Sequence, residues 1–251
     1  MLLSVKNTSF ELCAETLETA RAAESGGADR IEICSGLSCG GVTPVPELMG
    51  ADFGLFAIPV YVLIRPRAGN FVFSTREYEL MRRQIEQAKK ARAAGVAIGV
   101  LLPDGRVDLK RTRTLVELAR PMAVTFHRAF DETPDLTAAL ETVIQTGADH
   151  LLTSGGAADV LSGAESIATL RQQAGKRIHI VAGGGLRLAS LAQVVRRSGV
   201  NSLHGSLNHE NGAANHGSKL QALESAVRQA VALLESEYQE SPSPVQEIHE
   251  S

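Results

Sequence analysis

The chain contains no tryptophan, and aromatic residues make up only 4% of its 251 positions. Its interior must be filled by Ala, Leu, Val and Ile, which suits helices packed closely on a parallel sheet. Cysteine is scarce too. Three residues, an odd number spread along the chain, describe free thiols rather than a disulfide framework. Basic residues are not in excess: 25 Lys and Arg stand against 28 Asp and Glu, for a formal net charge of −3. That balance leaves no electrostatic footprint for nucleic acid or an anionic membrane. No run approaches the roughly 18 apolar residues of a membrane span. The opening MLLSVKNTSF has neither the basic segment nor the apolar stretch of a secretory leader. A cytoplasmic setting is expected, with neither nucleic acid nor membrane as partner.

Glycine is plentiful, at 23 residues, and it recurs in one phrase. Gly27-Ala28-Asp29 precedes the run Arg30–Cys34, Gly95-Val96 precedes Ala97–Leu101, Gly147-Ala148-Asp149 precedes His150–Thr153, and Gly199-Val200-Asn201 precedes Ser202–His204. Each glycine is expected to cap a helix in left-handed geometry before the chain turns into a strand. The segments between agree. Ser74-Thr75-Arg76-Glu77 reads as a capping box opening a helix with Tyr78, Met81, Ile85 and Ala88 on one face. Thr133-Pro134 reads as an N-cap followed by proline at the first helical position, with Leu136, Ala139, Leu140, Val143 and Ile144 behind it. Leu188, Leu191, Val194 and Val195 form another stripe, ending at Gly199.

Strands are expected near 10–14, 30–34, 59–64, 97–102, 123–127, 150–153, 177–182 and 202–204. Eight short strands alternating with helices over this length predict one (β/α)8 barrel of the TIM type. An open doubly wound sheet usually carries fewer strands. The barrel is expected to span residues 1–238, with a flexible tail over 239–251.

In such barrels chemistry sits at the C-terminal ends of the strands. Polar residues concentrate there: Cys13 and Glu15, Glu32 and Cys34, Arg65 and Arg67, Asp104, His127, Arg128 and Asp131, Thr153 and Ser154, and His204 and Ser206. Gly183-Gly184-Gly185 after strand seven and Gly205-Ser206 after strand eight occupy the loops where barrels bind phosphate through backbone N–H groups and a helix N-terminus. The plainer alternative is a pair of tight turns that need glycine's backbone freedom. Arg65, ending strand three, adds positive charge to the same rim. Leaving strand five, Phe126-His127-Arg128-Ala129-Phe130-Asp131 supplies His127, Arg128 and Asp131 as candidate catalytic residues for proton transfer or anion binding, with Glu32 from across the barrel. A hydrogen-bonded core histidine beside a rim ion pair is the alternative.

The thiols converge by a different argument. Side chains alternate along a strand, so Glu11, Cys13 and Glu15 share one face and Arg30, Glu32 and Cys34 share the corresponding face of the next strand. Ile31 and Ile33 then point toward the helices, leaving the polar set inside the barrel. Two thiols meeting there suit a soft ion such as Cu(I), although a buried free cysteine also serves as a small hydrophobe. Cys39, in the following loop, is expected to be more exposed.

Taken in order, Glu11-Leu12-Cys13-Ala14, Gly27–Cys34, Gly40-Gly41-Val42-Thr43-Pro44, Ile64-Arg65-Pro66-Arg67 with Gly69, Phe126–Asp131, Leu152–Gly156 and Ala182–Gly185 resemble the CutC family. The resemblance runs from Phe10 to about Ser206 and weakens beyond. It implies a TIM-type barrel, a role in copper homeostasis, a cytoplasmic setting and a homo-oligomer, dimer or tetramer. It also implies a Cu(I) site whose two cysteines fall on Cys13 and Cys34. Two functions follow for comparison. One is copper binding through those thiolates. The other is an enzyme or sensor for a small phosphorylated or carboxylated metabolite, held by the glycine loops and Arg65 with His127 and Asp131 moving protons.

Overall fold

The computed structural model describes residues 7–207 and 216–240. Strands β1 (Ser9–Ala14), β2 (Arg30–Ile33), β3 (Val60–Leu63), β4 (Gly95–Ile98), β5 (Ala123–Phe126), β6 (His150–Thr153), β7 (His179–Gly183) and β8 (Ser202–Gly205) run parallel in sequence order. β8 pairs with β1 and closes the barrel. The helices α1 (Leu17–Ser25), α2 (Pro46–Met49), α3 (Thr75–Lys90), α4 (Leu109–Ala119), α5 (Leu136–Thr146), α6 (Ala164–Ala174), α7 (Leu188–Ser198) and α8 (His216–Glu240) form the outer ring. This is the expected TIM barrel. The unit after β2 is the irregular one: 3-10 turns and the four-residue α2 replace a full helix. Among the described residues no helix is long and apolar enough to cross a membrane. The tail expected over 239–251 lies outside the described residues from 241 onward.

Local chemistry fixes the element ends. Ser74 and Glu77 make the expected reciprocal capping box on α3, and Gly147 and Gly199 cap α5 and α7 in left-handed geometry. Two expectations are corrected. The N-cap of α5 is Asp135, whose carboxylate accepts from the Ala138 N–H, because Thr133 is spent on a preceding turn through its hydroxyl and the Phe130 carbonyl. Gly95 is no helix cap. It is the first residue of β4, while Arg92 takes the left-handed position after α3. Strand four therefore starts two residues earlier than the apolar run implied.

Two interiors result. Phe10, Leu12, Ile31, Ile33, Val62, Ile98 and Val124 belong to the main core with helix residues such as Ala20, Met81 and Ile85. Inside the barrel a small separate apolar cluster holds Cys13, Cys34, Leu63 and Ala97. Glu11, Arg30, Glu32 and His204 bring charge into the same interior, with the ring of Tyr61 beneath Arg30.

Candidate metal and ligand site at the barrel mouth

Register determines which side chains meet inside the barrel. Glu11 on β1 stands opposite Arg30 on β2 and His204 on β8, and Cys13 stands opposite Glu32. Glu11 is 1% exposed. Its carboxylate accepts a close bond from Arg30 Nε and lies 2.6 Å from His204 Nδ1. Burial alone would raise its pKa, yet the charge of Arg30 and the bond to His204 hold it at about 2. Burial likewise pulls His204 down, but its bond to Glu11 and the charge of Glu32 win and leave it above the ordinary histidine value. Glu32 moves upward, chiefly because it is desolvated.

The thiols sit beside this network. Cys13 Sγ is 2.9 Å from Cys34 Sγ and donates toward Glu32 Oε1 at 3.5 Å. The contact with Cys34, then burial and the nearby Glu32 charge, push the Cys13 thiol well above its usual value. Cys13, Glu32 and His204 each offer a ligand atom within 4.8 Å of the others. Glu15, expected on the same inward face, is instead exposed beyond the end of β1, where it accepts from the Leu37 N–H.

Above the thiols lies a cavity of about 460 Å³, lined by Cys13, Glu32 and His204 together with Arg65, His127, Arg128, Asp131, Gly184, Gly185, Gly205 and Ser206. Cys34 is wholly buried and does not line it. The volume falls within the range of small-molecule sites. Apart from Cys34 and Gly183, the candidate catalytic, anion-binding and metal residues read from the sequence line this one cavity. His127 Nδ1 accepts from the Ala129 N–H at 3.2 Å, so its proton resides on Nε2, which is buried without a partner. Burial, then the charge of Arg65, lowers its pKa to about 3. The ring is therefore neutral at ordinary pH, with Nδ1 already engaged by the backbone.

Asp131 does not orient that ring. It accepts from the Thr153 hydroxyl, the Ser154 and Gly156 N–H groups, the Ser154 hydroxyl and Arg128 Nε. Both of its oxygens are committed to tying the β5 and β6 loops together. Arg65 is similarly employed: its terminal nitrogens donate to the carbonyls of Gly41, Cys39 and Gly69, and only Nε lacks a partner. The guanidinium of Arg128 covers Gly184, where an added Cβ would lie 2.8 Å from it. Gly184 and Gly185 have positive φ, whereas Gly183 completes β7. The sequence pattern puts Glu11 on the inward face and His204 at a strand end without pairing them. Their meeting depends on β8 lying beside β1, which is a property of closure rather than of either segment.

Fold and site together define a TIM-type barrel whose mouth is lined by thiol, carboxylate and imidazole. The CutC family profile matches residues 8–209, and the chain belongs to that family. A CutC family protein of Caulobacter vibrioides is 44% identical over 204 residues, covering 81% of this chain and 83% of that one. The human copper homeostasis protein cutC homolog is 43% identical over 195 residues, covering 78% and 71% respectively. Among solved structures, the putative copper homeostasis protein CutC of Streptococcus agalactiae superposes with a TM-score of 0.75 at 27% identity, covering 80% of this chain and all of that one. An N-(5'-phosphoribosyl)anthranilate isomerase of Pyrococcus furiosus gives a TM-score of 0.56 at 16% identity over 90% and 99% of the two chains. That likeness concerns the fold alone.

Proposed function

We propose that the protein binds Cu(I) in the cytoplasm through the thiolates of Cys13 and Cys34. The observation that carries this reading is the pair of free sulfurs 2.9 Å apart, of which Cys13 lines the mouth cavity and Cys34 lies buried behind it. Paired thiolates are the donor set that a soft monovalent ion prefers over carboxylate or water. The human relative's name, copper homeostasis protein, supports the same choice. Three free cysteines accord with a reducing compartment. A homo-oligomer, dimer or tetramer, belongs to this reading through the family. Two thiolates sharing one ion stand about 3.8–4.6 Å apart for metal–sulfur bonds near 2.3 Å. Loading therefore requires one cysteine to swing away from the other while both protons leave.

Competition titration against a chromophoric Cu(I) chelator under anaerobic, reducing conditions tests the reading. The wild type is expected to hold one tight equivalent that Cys13→Ser and Cys34→Ser each abolish. An equivalent that survives both substitutions overturns it.

One observation supports a second reading, an enzyme or sensor for a small anionic metabolite. The Nε2–H of His127 is a buried donor without a partner on the wall of the cavity, and such a group is costly unless a ligand completes it. Arg128, 41% exposed at its side chain, borders the same space together with Gly184, Gly185, Gly205 and Ser206. In this reading Asp131 positions Arg128 and the loops, and His127 donates to the ligand. Phosphate is expected to raise the melting temperature above chloride at matched ionic strength, and Arg128→Gln to remove that rise. Identical melting curves in the two salts contradict an anion site.

A further inference from the structure

Cys34 and His204 stand on opposite sides of Cys13, and only His204 reaches the cavity. The ligand atoms available to an ion therefore divide into two sets that share one sulfur. The thiol pair is buried away from the cavity on its Cys34 side. The other set, Cys13, Glu32 and His204, lines the cavity with all three members. We infer that Cys13, Glu32 and His204 form a divalent-cation site, of the kind zinc occupies, whose open coordination position faces the cavity.

Three features favour it. The first is donor chemistry: one thiolate, one imidazole and one carboxylate make a mixed set for a borderline divalent ion, whereas Cu(I) prefers sulfur. The second is spacing. Tetrahedral ligation with ordinary bond lengths separates S, N and O donors by about 3.4–3.6 Å. Cys13 Sγ already lies 3.5 Å from Glu32 Oε1, and His204 Nε2 is 4.0 Å from the same oxygen. The third is orientation. Glu11 holds His204 by Nδ1 and is itself held by Arg30, leaving Nε2 turned toward Glu32 and Cys13. A carboxylate behind a ligating imidazole is how metal sites fix the tautomer and aim the ring. Binding displaces the Cys13 thiol proton and the Nε2 proton to solvent as the metal bonds form. Three protein ligands and a fourth position open to a cavity are the arrangement of a site that exchanges water for substrate. The ligand it would take is a small molecule presenting a carboxylate or carbonyl oxygen, in a cavity that His127 also lines.

Co(II) replaces zinc as a spectroscopic probe in the full-length protein under reducing conditions. The wild type is expected to develop near-ultraviolet thiolate-to-Co(II) charge transfer with the visible bands of four-coordinate Co(II). Cys34→Ser should keep both, with affinity changed less than about threefold. His204→Asn and Glu32→Gln should each weaken binding at least tenfold. Glu11→Gln removes no ligand and should weaken it about 10–100-fold. Circular dichroism of each variant separates loss of a ligand from loss of fold, and the conservative Glu32→Gln keeps the test informative if His204→Asn unfolds. Azide should shift the visible bands, since it enters the open position. Absence of the charge-transfer band in the wild type overturns the inference. So do unchanged affinity in the folded Glu32→Gln and His204→Asn variants, loss of the band in Cys34→Ser alone, and visible bands indifferent to azide. The Cu(I) reading fails differently, when Cu(I) affinity proves independent of Cys34.

Discussion

His127 illustrates how one ring is held in a single state by its surroundings. The Ala129 N–H takes up Nδ1, and burial beside the Arg65 charge keeps the ring unprotonated down to a pKa of about 3. An unfolded chain protonates the same imidazole near 6.5. Below pH 6.5 the unfolded state therefore binds a proton that the folded state refuses. Stability fully present above that pH is lost progressively as pH falls toward 3, by up to about 1.4 kcal/mol per unit for this group. Glu11 adds to the loss further down, since its folded pKa of about 2 lies below the 4.5 of an unperturbed glutamate. Urea unfolding followed from pH 7 to pH 4 is expected to decline more shallowly in His127→Gln, which retains an acceptor for Ala129, than in the wild type. Equal slopes contradict a neutral, buried His127. At this scale the sequence was partly legible. Alternation along two strands was enough to bring Cys13 and Cys34 together. The Glu11–His204 bond was not legible, because it joins the first strand to the last. Nor was the saturation of Asp131, which needs the β6 loop folded over it.

Between residue and barrel, the repeated glycine phrase covers two different roles. Gly147 and Gly199 cap helices as the repeated phrase implied, but Gly95 in the same phrase does something else. Its strand position faces Tyr61 in register, and an added Cβ would lie 2.5 Å from the ring. The tyrosine in turn stacks beneath Arg30, whose guanidinium carbon is 4.5 Å from the ring centre. Gly95 thus makes room for the aromatic floor under the Glu11–Arg30 pair. Gly95→Ala is expected to destabilise the protein by about 1–3 kcal/mol, the usual range for overpacking a filled core. Tyr61→Leu in the same chain should recover part of that loss, a coupling that a double-mutant cycle in urea measures directly. Additive effects would show that the ring is not the obstacle. A similar lesson comes from α5, where a proline after threonine resembled a helix start. The actual cap is one residue beyond the proline, because Asp135 has a carboxylate that reaches the Ala138 N–H.

At the scale of the molecule, the barrel separates two solvents. Apolar residues fill the layer between sheet and helices, while the barrel's own interior holds Glu11, Arg30, Glu32 and His204 with two thiols among them. A buried ion network of this kind is weak evidence for stability, since desolvation offsets much of its Coulombic gain. On the proposed reading, its residues serve the site at the mouth more than the stability of the fold. The eight-strand pattern was readable because each βα unit repeats its own turn chemistry. The network was readable only as a list of strand-end polar residues, and closure of the barrel assigned the partners. X-ray absorption at the copper edge of the Cu(I)-loaded protein tests the central claim most directly. The account predicts two sulfur neighbours at about 2.3 Å or slightly less, and at most one for whatever weakly held copper remains in Cys34→Ser. A first shell of nitrogen and oxygen alone, or two sulfurs that persist in Cys34→Ser, would contradict it.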